Sequence, residues 1–295
     1  MKNNVVNILI CLLLFSSSVG FSTAENTKTW YVDDDGTADY NSIQTAINAA
    51  TDGDTIFVYN GEYHESLHVD KSLHIMGEDR DNTIINRTGS ALITIEHDHV
   101  HFEGFSLINA ADVWLDDAAV ISVFSDNTII ENNVIQTNLY NGIKLHPRTK
   151  ENSIIHNIIT AGYAGLRLKW SWNNYISHNY FYGHSIGINM EYSWKNQIQR
   201  NQLESNGIGL FLIDCYRNNV SQNNFMNGGD EVYMHPRVSI NSWNSNYWQE
   251  YTGKLPFYII TQRYIPFTDI PLFFLFDILR IDWSPSSEPY EIEGE

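Results

Sequence analysis

Short apolar segments recur along this chain at a nearly constant spacing, each framed by asparagines. The sextets at 127–132 (NTIIEN), 152–157 (NSIIHN), 174–179 (NYISHN), 196–201 (NQIQRN), 218–223 (NNVSQN) and 241–246 (NSWNSN) share one form: Asn, any, apolar, any, any, Asn. A further apolar residue follows at Val134, Ile159, Phe181, Leu203, Phe225 and Trp248. Successive first asparagines lie 25, 22, 22, 22 and 23 residues apart. A second strand sits at a steady offset, at 142–145, 165–168, 187–190, 209–212 and, degraded, 231–234.

Such short alternating strands cannot bury one face alone, and a repeat of this length has no room for a packed helix. If each unit coils once and lies on the last at ~4.8 Å, every strand gains parallel neighbours above and below. Inward Ile, Leu, Val and Phe then form continuous columns. The recurring Asn132, Asn157, Asn179, Asn201, Asn223 and Asn246 stack as well, each amide bonding to the next rung. A leucine-rich repeat lacks support, and a helical solenoid does not tolerate this density of Asn, Gly and β-branched residues. The pattern predicts an all-β protein: a single-stranded, right-handed parallel β-helix of eight or nine coils.

Upstream the form loosens. The stretch 98–105 follows the template with Asp98 and Glu103 in place of asparagines, 71–77 aligns one coil earlier, and 54–58 is a first strand. Residues 40–50 place Ile43, Ala46 and Ile47 at helical spacing behind Asp39, a cap candidate, so a short helix is expected to seal the open end. After Trp248 the repeats stop, and the proline-broken apolar runs of 253–283 are expected to form an irregular lid over the last coil. The division is therefore 1–24, 25–252 for the β-helix with its amino-terminal cap, and 253–295 for the carboxy-terminal cap and acidic tail.

The first two dozen residues change the compartment. Lys2, an apolar run over 5–15 and Ser22-Thr23-Ala24 read as a signal peptide cleaved after Ala24. The run is too short for a comfortable span, so the mature chain is expected to be secreted or on the cell surface, or periplasmic in a Gram-negative host, with no transmembrane segment. Beyond it Cys215 is the only thiol, so no internal disulfide can form. The net charge of −18 repels nucleic-acid phosphates, which removes nucleic acid as a partner. Nothing in the repeat asks for a second copy, and a monomer is expected.

Candidate chemistry can be read as columns of outward residues from successive coils. One column runs Lys144, Arg167, Asn189, Phe211, Tyr233, and the next runs His146, Lys169, Glu191, Ile213. Beside them lie Trp170 and Tyr192, then Lys150, Trp172, Trp194 and Tyr216. Cations next to stacked rings suit a polysaccharide, with Lys144, Arg167, Lys169, Trp170, Trp172, Tyr192, Trp194 and Tyr216 as its contacts. A separate group is histidine-rich: His99 and His101 lie two apart on one expected strand, with His74 stacked on His101 from the coil before. Imidazole clusters of this kind suit Cu or Zn.

Residues 30–85 carry Tyr31-Val32-Asp33-Asp34-Asp35-Gly36, Ser42-Ile43-Gln44-Thr45-Ala46-Ile47, Gly53-Asp54-Thr55-Ile56, Gly61-Glu62-Tyr63 and Gly77-Glu78-Asp79-Arg80. This resembles the opening of pectin-lyase-like β-helix proteins. With Asn246-Tyr247-Trp248 and Gly253 closing the coils, the chain resembles the periplasmic copper-binding NosD family, linked to nitrous oxide reductase maturation. It belongs by likeness to the wider CASH group of carbohydrate-binding proteins and sugar hydrolases. With the cation and ring columns, the reading is a protein that binds an extracellular carbohydrate, and the resemblance adds two alternatives. One is a lyase or hydrolase across Lys144, Arg167 and Glu191, which would need acidic Ca²⁺ ligands or paired carboxylates; only Glu191 and Asp214 stand near. The other is copper handling by His74, His99 and His101.

Overall fold

The structure is a computed structural model and describes residues 27–89, 91–109, 118–138, 141–160, 162–234, 241–249, 257–260, 279–282 and 284–292. The segment read as a signal peptide lies outside these residues. Among them the chain winds through about nine turns of a right-handed parallel β-helix. Each turn contributes a strand to each of three sheets. Sheet A has ten strands, from Thr29–Val32 to Ser242–Asn244; sheet B has nine, from Gly61–Tyr63 to Tyr247–Trp248; sheet C has eight, from Leu67–Val69 to Asp230–Met234.

Inward side chains fall into columns because the register is conserved from turn to turn. On sheet A, Ile75, Phe102, Ile130, Ile154, Ile176, Ile198 and Val220 lie in line, all fully buried. On sheet B, Leu107, Ile135, Ile159, Phe181, Leu203, Phe225 and Trp248 do the same. Each fully buried aliphatic or aromatic side chain contributes about 1.5–3 kcal/mol relative to exposure.

The corners are harder to satisfy than the strands. A chain that turns every few residues carries buried amides with no ladder partner, and asparagine side chains supply them. The Asn157 amide donates to Ile130 O, Ile155 O and Asn179 Oδ1, at 2.9, 2.9 and 3.1 Å, while its Oδ1 receives the Asn133 backbone N–H at 3.0 Å. The same set repeats at Asn179, Asn201, Asn223 and Asn246. The residue before each rung (Asn132, His156, His178, Arg200, Gln222, Ser245) holds φ between 52° and 57°. That left-handed turn costs about 1–2 kcal/mol in a residue with a Cβ, and the rung's hydrogen bonds offset it.

Two further ladders were not anticipated. Asn152, Asn174, Asn196, Asn218 and Asn241 run along the corner from sheet C to sheet A, and His184, Asn206 and Asn227 along the corner from B to C.

The register of one turn differs from the sequence pattern. Asn133, fully buried, bonds to Asn157, whereas Asn132 is the left-handed residue before it. Ile130 pairs with Ile154 and Ile135 with Ile159, so Ile129 and Val134 face outward. The doublet Asn132-Asn133 permits either alignment on paper, but a one-residue slip moves every side chain to the opposite face. Upstream the correction is larger: Phe102 is the inward residue, and Val100 and Phe105 occupy the corner positions in place of asparagines.

Both ends are closed. Helix α1 (Ile43–Ala49) buries Ile43, Ala46 and Ile47 over the first turn. Its cap is Ser42, whose Oγ receives Thr45 N–H, rather than Asp39. Glu65 adds a carboxylate that accepts Ile43 N–H at 2.7 Å and Gln44 N–H at 3.0 Å, favourable at a helix N-terminus. At the other end strands Phe257–Ile260 and Leu279–Asp282 pair antiparallel. The fully buried Asp282 ends the main asparagine ladder, accepting from Asn246 N and Nδ2, Ser245 N, Ser284 N and Trp248 Nε1. The rest of the expected lid, 253–256, 261–278 and 283, lies outside the described residues.

Asn133→Ala leaves Phe102 O, Glu131 O and Phe105 N–H without their partners. Denaturant unfolding is expected to show a loss of about 3 kcal/mol, against less than about 1 kcal/mol for Asn132→Gly, which keeps the left-handed turn.

Candidate functional site

Two clusters of chemistry-bearing side chains stand on the outside of the solenoid. The first is on sheet A. His74 and His101 are register partners, and their rings stack 4.5 Å apart at 10°. Glu103 and Glu131 are also register partners, one and two coils on from His74. The Glu103 carboxylate straddles the imidazoles: Oε1 lies 2.7 Å from His74 Nε2, and Oε2 lies 3.8 Å from His101 Nε2. Glu131 Oε2 lies 3.4 Å from His101 Nε2. All four side chains are half-buried. His74, His101 and Glu103 offer donor atoms within 4.8 Å of one another, the only such group with a histidine among the described residues.

His99 does not join them. The strand begins at His101, and His99 sits in the turn before it with φ 62°, exposed. Alternation applies only within a strand, which is why the two-residue spacing misled. Glu103 and Glu131 were missed for a related reason. Neither is unusual in the sequence, and only the correct register aligns them beside the histidines.

The second cluster follows sheet C and its corner with sheet A. Lys144, Arg167, Asn189, Phe211 and Tyr233 are aligned in register, and Lys169 pairs with Glu191. Arg167 Nη2 donates to Glu191 Oε1 at 2.9 Å, and Lys169 Nζ stands 3.4 Å from Glu191 Oε2. This face is not the open surface its outward direction implies: Lys144, Arg167 and Asn189 are only 4%, 9% and 5% exposed. Outward on the sheet is a local property, whereas burial is set by the whole chain. Glu191 and Asp214 do not form a cation-binding group of three donors among the described residues.

At the corner the rings stack as the period requires. Trp170 and Tyr192 lie 4.6 Å apart at 9°, Trp172 and Trp194 4.8 Å apart at 8°, and Tyr216 continues the second stack at 5.7 Å and 3°. Rings so nearly parallel cover one another's faces in part, leaving edges and the terminal faces to solvent. Trp170, Tyr192 and Asp214 hold φ of 53°, 50° and 49°, just before the small buried residues Ser171, Ser193 and Cys215. A bulky aromatic in this conformation is uncommon, and here the polar residue after it anchors the turn.

The fold and its outward side-chain columns define a right-handed parallel β-helix solenoid. A family described as Periplasmic copper-binding protein (NosD) matches residues 47–253, and the chain belongs to that family. No curated protein sequence matches it. Among solved structures it is similar to the A-module of mannuronan C-5 epimerase AlgE6 from Azotobacter vinelandii, at 14% identity and TM-score 0.49, over 69% of this chain and 70% of that one. It is similar also to pectin methylesterase from carrot (14%, TM-score 0.42, 78% and 84%) and to pectate lyase Pel9A (14%, TM-score 0.43, 76% and 80%). No helix among the described residues is long and apolar enough to cross a membrane.

Cys215 ends the corner column Thr149, Ser171, Ser193 and is fully buried, its Sγ donating to Met190 O and Ile213 O at 3.3 Å. Burial pushes the thiol up to about 12. The protonated thiol favours the fold below the ordinary value of 9, and that contribution fades as pH climbs towards about 12. In native protein at pH 8, peptide mapping after iodoacetamide is expected to find Cys215 unmodified, and fully modified once urea has unfolded the chain.

Proposed function

We propose that this chain is an exported metal-binding β-helix that holds a divalent transition metal, copper foremost, at His74, His101, Glu103 and Glu131. The observation that carries the reading is the convergence of two imidazole Nε2 atoms and two carboxylates from three successive coils, at 2.7–3.8 Å. Mixed imidazole and carboxylate donors suit Cu(II) or Zn(II), and metal bonds of about 2.0–2.2 Å are compatible with donors this closely spaced. The family's description as copper-binding supports the same reading.

Each residue has a definite part. His74 and His101 offer neutral nitrogen, and Glu103 reaches both. Glu131 brings a further carboxylate to the same Nε2 of His101 from the next coil, at 3.4 Å. Without metal the same atoms form a His74–Glu103 hydrogen bond at 2.7 Å, and strand pairing holds His74, His101, Glu103 and Glu131 in line. The export segment, residues 1–24, would deliver the protein beyond the cytoplasm, with the β-helix over 25–252 and a cap over 253–295.

One observation favours a second reading, polysaccharide binding. The Trp172–Trp194–Tyr216 stack runs beside the Arg167–Glu191–Lys169 ion pairs, a combination that suits an acidic sugar chain. Trp170, 47% exposed, flanks it on the neighbouring position. With Arg167 bonded to Glu191, the arrangement favours binding over turnover.

Untagged protein dialysed against Cu(II) is expected to retain one equivalent by atomic absorption. His101→Ala should weaken retention about tenfold or more, and His99→Ala should leave it unchanged. Retention that survives His74→Ala/His101→Ala would sink the metal reading. Binding to an anionic polysaccharide that disappears in Trp172→Ala/Trp194→Ala would support the second.

A further inference from the structure

The first turn carries a cavity that neither reading uses. It has a volume of about 390 Å³ and is lined by Tyr31, Asp33, Thr37, Ala38, Asp39 and Tyr59. Its aromatic side is part of a three-ring cluster. Tyr31 and Phe57 are register partners on sheet A, with centroids 6.0 Å apart. Tyr59 lies 6.1 Å from Tyr31 at 23° and meets Phe57 edge-on at 5.1 Å. Tyr31 is 43% exposed, so a large ring on the outside of the sheet keeps much of its surface for something other than the core.

The opposite side is a loop fixed at both ends. Asp33 N–H donates to Tyr40 O at 3.0 Å and Tyr40 N–H to Tyr31 O at 3.1 Å, so residues 34–39 close over the strand end. Asp39 Oδ2 accepts Tyr31 N–H at 3.1 Å, which sets that carboxylate beside the Tyr31 ring. Asp34 accepts Glu62 N–H from the next coil, and its carboxylate lies within 4.8 Å of those of Asp33 and Asp35, which adds to the negative charge on this side. No Lys, Arg or His lines the cavity, and no ion pair among the described residues involves Asp33 or Asp39.

Two aromatic walls facing two carboxylates, with no resident cation, select one ligand chemistry. Ring faces attract cations through their quadrupole, and the carboxylates add charge without supplying a hydrogen-bond donor for an anion. A neutral sugar would stack on the rings and donate hydroxyls to the carboxylates but leave their negative charge uncompensated. A bare divalent ion would gain from the carboxylates but not from the rings. The volume suits a small molecule. We infer that this cavity binds a small organic ammonium solute, of the methylated-amine class, between Tyr31, Tyr59, Asp33 and Asp39. This inference is independent of the metal reading, since the histidine cluster contributes no lining residue.

The test is calorimetric titration of full-length protein with tetramethylammonium, at low and moderate salt, beside its neutral isostere tert-butanol, glucose and Ca²⁺. Tetramethylammonium is expected to bind, and the neutral isostere about tenfold more weakly or not at all. Tyr59→Leu, which keeps an apolar wall, and Asp33→Asn, which keeps an acceptor, should each weaken the cation about threefold to tenfold. Their circular dichroism should match the parent, and His101→Ala should bind the cation unchanged. Equal binding of the neutral isostere, preference for glucose or Ca²⁺, absence of tetramethylammonium binding, or indifference to both cavity variants would each overturn the assignment.

Discussion

The structure depends on one constraint: a chain that coils every 22 residues must satisfy the amides it buries at its corners. Strand amides find partners in the coils above and below at no further cost. Corner amides cannot, because the backbone there leaves the ladder through a left-handed residue. The asparagine rung solves this with one side chain that bonds its own turn and both neighbouring turns at once. Asn157, Asn179 and Asn201 each do so within a fully or almost fully buried site. Repetition follows from the chemistry: a rung needs another rung above it, and the series ends only where a different acceptor, Asp282, takes the last amide.

The outward columns are consequences of this register. Sequence neighbours two apart diverge at every corner, while residues 22 to 28 apart meet. His74 meets His101, and Glu103 meets Glu131. The aromatic stacks arise in the same way, since one ring placed at a corner position finds its counterpart one coil later. A solenoid can therefore accumulate metal donors, ring stacks or ion pairs without altering its core. In this chain the amino-terminal half of sheet A carries donors, and the later corners carry rings.

Much of this was legible before any coordinates. The period, the parallel β-helix, the sealing helix and the column Lys144, Arg167, Asn189, Phe211, Tyr233 all follow from apolar spacing, and the register reproduces that column. What was lost, was lost where spacing is ambiguous. The Asn132-Asn133 doublet fits the template in two ways, and only the inward choice of Ile130 over Ile129 decides between them. In the coils before it, Val100 and Phe105 replace the asparagines with apolar residues, so the marker vanishes and the frame drifts. His99 was joined to His101 by a strand that begins too late to include it. The burial of Lys144 and Arg167, at 4% and 9% exposed, has no signature in the alternation, which marks both only as outward.

The central claim is the register itself, and cross-linking reads it atom by atom. In a chain whose native cysteines are replaced by serine, Glu131→Cys/Ile155→Cys places two outward side chains on paired positions of adjacent strands. Parallel strand neighbours fall within the Cα separation a disulfide accepts. Mild oxidation is predicted to close an intrachain disulfide in that variant and not in Glu131→Cys/His156→Cys. The reverse result would shift the coils before Asn133 by one residue against those after it and put Ile129, rather than Ile130, in line with Ile154.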